Sequence, residues 1–151
     1  AGATNLPIGC SVEWNTTAAA PTGWFKEDGS AISRTTYSDL FAVIGTQFGV
    51  GNGTTTFNLP DSRSRGTIGD GTGPGLTPRV VGDIGGEESH VLTIPEIPAH
   101  THSYNNLGAV HSSTGFGNSG GAATTGSTGG GGGHNNMQPF IVKGKIIRWS
   151  T

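Results

Sequence analysis

The sequence predicts a mainly β fold with one short α-helix, long glycine-rich loops, and a core shared between several copies of the chain. Three observations carry this. Short runs near both ends of the chain have strand character, and in the first of them the apolar residues alternate at period two. One segment alone has helical spacing. Of 151 residues 28 are glycine, while 32% are hydrophobic and 12% charged. Ordering the backbone costs about 1–2 kcal/mol per residue, and so few apolar side chains in one copy are a poor match for it. Yet apolar residues continue to Ile146, Ile147 and Trp149, which favours several copies wrapped around one core over a disordered chain.

The elements follow in order. Ile8, Cys10, Val12 and Trp14 fall on one face of an extended run over residues 8–14. A small-residue turn ends at Pro21, Trp24-Phe25 starts a second short strand, and Asp28-Gly29-Ser30 closes a tight turn. Thr35 or Thr36 then caps a helix whose Tyr37, Leu40, Phe41 and Ile44 recur at spacings of three and four, and Gly45 stops it. Gly49 to Gly53 form a turn, residues 54–59 a strand, and Pro60-Asp61 its end. Eight glycines and two prolines over residues 62–86 predict turns. Residues 91–97 resume an extended course broken at Pro95, residues 108–133 read as a flexible Gly/Ser/Thr linker, and residues 140–149 as a terminal strand.

Several functional classes have little support. The net charge of −2 without a basic stripe argues against binding nucleic acid or an anionic membrane. No run approaches the roughly 20 apolar residues of a membrane span, and nothing resembles a signal peptide. A single cysteine, Cys10, excludes an intrachain disulfide framework and reads as a small core thiol. Ala1 in place of an initiator Met fits a processed chain or a piece of a longer one.

The sharpest chemical signal is Pro98-Ala99-His100-Thr101-His102. In an extended strand residues i and i+2 point to one side, so His100 and His102 project together. Two imidazoles alone make a poor site. Three parallel copies about a threefold axis would gather six ring nitrogens in an octahedral cage suited to one transition-metal ion, iron or zinc. Structural zinc is usually tetrahedral, so the geometry leans to iron. The motif by itself favours two exposed or hydrogen-bonded histidines, and the inferred trimer is what turns the balance toward a metal site. His90, His111 and His134 show no such spacing and read as surface or loop residues.

Catalysis is not expected. Glu87-Glu88, Asp61, Asp70 and Asp83 could in principle supply the paired carboxylates of glycoside hydrolysis, but no register in the sequence brings two of them together. Gly49 to Gly53 lack the Lys-Ser/Thr and the strand–loop–helix setting of a phosphate loop. Tyr104 and Phe116 stand among small polar residues, where aromatic faces either bind sugars or pack on a trimer axis.

Pro21-Thr22-Gly23-Trp24, Asp28-Gly29, the run from Ser33 to Thr46, and the run from Thr54 to Asp61 together resemble the phage tail-collar domain. Residues 97–102, followed by His134-Asn135-Asn136-Met137-Gln138-Pro139-Phe140, resemble the C-terminal region of the same proteins. These are the short and long tail fibres of contractile-tailed phages and the microcystin-dependent-protein-like family. The resemblance implies an intertwined, elongated homotrimer in a virion's tail fibre, outside the cell. It also implies metal held by His-x-His pairs and a host lipopolysaccharide, surface glycan or surface protein as receptor. Ser62-Arg63-Ser64-Arg65 departs from the Leu-Arg-Gly-Arg type sequence of relatives and suggests a local change of turn.

The resulting division is residues 1–66 as a collar-like domain, 67–99 as a turn-rich connection, and 100–151 as a metal-pinned, receptor-binding tip. Receptor choice is expected in the least family-like stretch, which holds Tyr104 and Phe116. A purely structural trimerisation or virion decoration protein is the first alternative, and a glycan depolymerase the second.

Overall fold

The computed structural model describes residues 6–100 and 130–150. They form seven short strands, one α-helix and one 3-10 turn: β1 (Ser11–Trp14), β2 (Trp24–Lys26), β3 (Ala31–Ser33), α1 (Ser38–Ile44), β4 (Thr56–Asn58), β5 (Ser89–His90), the 3-10 turn (Ile94–Glu96), β6 (His134–Asn135) and β7 (Gly144–Arg148). Mainly β with one short helix is therefore the observed fold class. The chain divides into two compact units, residues 1–86 with 139–151, and residues 87–138.

In the first unit β7 lies between β1 and β2 and pairs antiparallel with both, Ser11 opposite Ile147 and Phe25 opposite Ile147. Residues 139–151, grouped above with a separate tip, thus pack with the N-terminal unit. The alternation read in β1 holds, since Val12 and Trp14 are half-buried while Ser11 and Glu13 are exposed. The strand starts later than the pattern suggested because Gly9 has φ +85° and the Cys10 amide turns back onto the Pro7 carbonyl at 3.1 Å. β7 is likewise shorter than the predicted run: Phe140, Ile141 and Val142 precede it and are exposed.

β3 was not apparent in the sequence. It pairs antiparallel with β4, Ile32 opposite Phe57. Helix α1 closes over this pair and over β7, so that Leu40, Ile44, Phe57, Leu59 and Ile147 form the buried core. The predicted apolar face is the one buried: Leu40 and Ile44 lie inside, with Tyr37 and Phe41 packed against them. Phe25, Tyr37 and Trp149 extend the core as a triangle of rings with centroids 4.9–5.6 Å apart. The predicted threonine cap is absent. Tyr37 occupies that position with no side-chain bond, and the Thr36 amide donates to Ser33 Oγ at 3.2 Å. Gly45 ends the helix as expected, at φ +54°, its amide donating to the Phe41 carbonyl.

The turn between α1 and β4 is organised by Asn52. Its Oδ1 accepts from the amides of Thr54, Thr55 and Thr56 at 2.8–3.1 Å, and its own amide donates to Thr56 Oγ1 at 2.8 Å. Arg34 fastens the same turn from outside, donating to the carbonyls of Thr56 and Val50 at 2.8 and 3.0 Å while lying over the Phe41 ring.

In the second unit β5 and β6 form a two-stranded ladder, Ser89 opposite Asn135 and His90 opposite His134. The extended course expected over residues 91–97 is instead interrupted by the 3-10 turn. Pro95 is tolerated within the turn's first positions, and Glu96 folds back so that Oε2 accepts from the Thr93 amide and hydroxyl, both at 2.7 Å.

Candidate functional site

Of the predicted metal pair, His100 is described and His102 lies outside the described residues, as do Tyr104, Phe116 and His111. His100 follows Pro98, and its Nδ1 stands 3.0 Å from the Pro98 carbonyl. A carbonyl oxygen only accepts, so Nδ1 is the donor in this contact. Ligating histidines commonly take this form, with one nitrogen on a backbone carbonyl and the other toward the metal. The ring is thus chemically suited to the ion that the sequence suggests. Among the described residues no group of three His, Cys, Asp or Glu side chains is set up to hold a metal.

The densest titratable cluster is one the sequence reading missed. His90 Nδ1 lies 2.6 Å from Glu87 Oε2, and His90 Nε2 lies 2.9 Å from Glu96 Oε1. The His134 ring stands edge-on to it, centroids 5.9 Å apart. The two carboxylates raise the His90 pKa above its ordinary value, Glu87 contributing most. Glu96 is pulled down to about 2, first by the Thr93 amide and hydroxyl and then by His90. Sequence spacing pairs His90 with nothing, because the contacts depend on the 3-10 turn and on the β5–β6 register. The Thr93-Ile94-Pro95-Glu96 string, with threonine and glutamate three apart, is the signal that could have revealed the turn.

The collar carboxylates are also engaged. Asp61 receives Arg63 Nε and Nη2 at 2.8 and 2.9 Å, with Arg65 3.6 Å away. The Arg63 hydrogen bond is the main reason its pKa falls to about 2. Ser64, between these arginines, has φ +56°, the only positive value on a non-glycine residue among those described. It stands where the resembled sequence type has glycine. This left-handed conformation costs about 1–2 kcal/mol on serine. Glu13 is bound by Lys143 at 2.6 Å.

Large aliphatic residues are conspicuous on the surface. Ile68, Leu76, Val80 and Ile84 in the turn-rich stretch are 71–76% exposed, and Ile141 and Val142 are 80% and 83% exposed. Single exposed hydrophobics are ordinary, but here they are concentrated in the turn-rich stretch and just before β7. A shallow groove of about 500 Å³ runs along Trp14 to Thr17 and Ile141 to Gly144. No described helix is long and apolar enough to cross a membrane.

No curated protein matches the chain. The family model of the phage tail collar domain matches residues 11–66. That span runs from β1 through β4 to the Asp61–Arg65 turn and includes the helix, the Asn52 turn and most of the core. Residues 11–66, well under half of the 151-residue chain, match the phage tail collar domain.

Proposed function

We propose that this chain belongs to a phage tail fibre and serves at its receptor-binding end, as an intertwined homotrimer that attaches the virion to a host surface glycan, lipopolysaccharide or surface protein. The observation that carries the reading is the collar domain at residues 11–66, followed by a turn-rich stretch whose aliphatic side chains stay uncovered in a single copy. Three copies supply that cover. His100 and His102 of each copy hold one iron or zinc ion on the common axis, where the ion pins three strands together without taking part in any reaction. The His100 Nδ1 contact with the Pro98 carbonyl, an arrangement common in ligating histidines, supports this assignment.

Attachment here is binding without catalysis. Glu13, Asp61, Glu87 and Glu96 are each engaged by a basic side chain. Glu87 and Glu96 do approach each other, but with an imidazole hydrogen-bonded between them. A depolymerase would instead need two carboxylates facing each other across a substrate cleft.

Light scattering on the full chain should give a trimer, and elemental analysis about one metal ion per trimer, as an octahedral six-nitrogen site requires. The double variant His100→Ala/His102→Ala should lose the metal and melt at a lower temperature. Full metal content in that variant would remove the histidines from the site, and a stable folded monomer would end the trimer reading.

Receptor choice belongs to the segment between Ser103 and Gly133, with Tyr104 and Phe116 as its contact side chains. Exchanging it for the corresponding segment of a fibre with another host, with both histidines retained, should give a soluble trimer of altered cell binding. Unchanged binding would move recognition into the collar. If neither parent bound any cell surface, the chain would be a structural cap.

A further inference from the structure

Both ring nitrogens of His90 face carboxylate oxygens, at 2.6 and 2.9 Å. A neutral imidazole has one N–H and one lone pair, so either tautomer would set a lone pair against an anionic oxygen at hydrogen-bond distance. Only the doubly protonated ring can donate at both ends. The two partners have separate jobs. Glu87 lies on the approach to β5, whereas Glu96 ends the 3-10 turn and already accepts from the Thr93 amide and hydroxyl through its other oxygen. The imidazolium therefore ties the 3-10 turn to β5, and β5 is itself held by β6 through the Ser89–Asn135 and His90–His134 pairs.

We propose that Glu87, His90 and Glu96 form a proton-operated latch, closed when His90 is an imidazolium and opened when it loses one proton. Opening frees the 3-10 turn at Ile94–Glu96 from β5, and with it the start of the stretch that leads to Pro98 and His100. The latch does not depend on the receptor reading, since every group in it belongs to the described part of the second unit.

The charged groups around the ring set the direction. Glu87 and Glu96 face it from its own segment, and His134 faces it from β6. The folded pKa of His90 is raised above 6.5. Its contribution is thus complete below 6.5 and lost as pH rises through the folded value. Glu96 has the opposite sign: its folded pKa of about 2 lies below 4.5, so its contribution is complete above 4.5 and lost only as pH falls toward 2. The latch is closed below 6.5 and opens as pH rises through the raised value of His90. Ile94, 89% exposed, rides on the element that is released.

Amide hydrogen exchange on the full chain, corrected for intrinsic rates, tests this. The Glu96 and Ile97 amides donate within the turn, to Thr93 and Ile94. Their protection should fall at least about tenfold between pH 6 and pH 9, the scale of a lost charge-assisted hydrogen bond. The Phe57 and Ile147 amides of the collar should hold steady. In His90→Gln, which cannot gain a proton, protection at 96 and 97 should be low at both pH values. In Glu96→Gln the His90 titration followed by NMR should move to lower pH. Equal protection at pH 6 and pH 9 in the native chain would overturn the latch. So would a pH-dependent fall that persists in His90→Gln, or a His90 titration unmoved by Glu96→Gln.

Discussion

Replacing Phe57 by alanine should cost about 3–5 kcal/mol, the usual range for removing a fully buried aromatic ring, and leave the collar largely unfolded. Phe57 is 0% exposed, sits opposite Ile32 in the β3–β4 ladder, and meets the Phe41 ring at a centroid distance of 5.0 Å. It therefore joins the strand pair to the helix. A domain's entire stability is commonly about 5–15 kcal/mol, and this core has few other members to close the cavity. Urea denaturation followed by tryptophan fluorescence measures the loss. A cost below about 1 kcal/mol, the level of a surface change or mild repacking, would mean that the collar's core is not the one described. The matched change Val43→Ala, on the exposed side of α1, should fall within about 0.5 kcal/mol of the native chain.

The second large effect is expected at Gly51. This residue has φ +61°, and a methyl placed on it would meet Thr56 Oγ1 and lie 2.6 Å from the Thr56 carbonyl carbon. Backbone cannot rotate away as a side-chain tip can. Gly51→Ala thus combines the left-handed penalty of about 1–2 kcal/mol with overpacking of about 1–3 kcal/mol. Gly53 provides the control. Its φ of +86° is similarly left-handed, but nothing stands within 4 Å of an added methyl, so Gly53→Ala should show the first penalty alone. Thermal melts of the two variants separate the terms. Equal losses would mean that the Thr56 backbone gives way, and that the Asn52 hydrogen bonds do not hold the turn rigid.

What the sequence discloses of this fold follows from how each element is stabilised. Helix α1 was legible because Tyr37, Leu40, Phe41 and Ile44 record the 3.6 period directly, and the alternation around Val12 and Trp14 did the same for β1. β3 was not, because three residues are too few for a period; Ala31–Ser33 is a strand only because Phe57 and its neighbours pair with it. Strand partners were hidden for a related reason. Nothing local in Gly144–Arg148 tells that it will lie between β1 and β2.

The chemistry divides similarly. The His100–His102 spacing is a local signal and could be read, although His102 lies outside the described residues. The His90 cluster depends on a turn at Ile94–Glu96 and a cross-strand register with His134, so among neighbouring residues only the Thr93–Glu96 string hints at it. Ser64 is the intermediate case. Its departure from the glycine type was visible in the sequence, but the left-handed backbone that serine adopts there was not.

The position of β7 bears on how the chain is made. β1 and β2 leave the ribosome well before β7, and neither has its sheet partner until residues 144–148 have been synthesised. Throughout translation of the intervening residues these strands carry unsatisfied edges, the state in which β-rich chains mispair with neighbours. The delay is long in time but modest in free energy, because the entropy of closing a loop grows only with the logarithm of its length. The turn-rich residues 62–86 between β2 and β7 can therefore lengthen at little thermodynamic expense, while every ribosome that stops short of residue 148 releases a product whose first sheet cannot close.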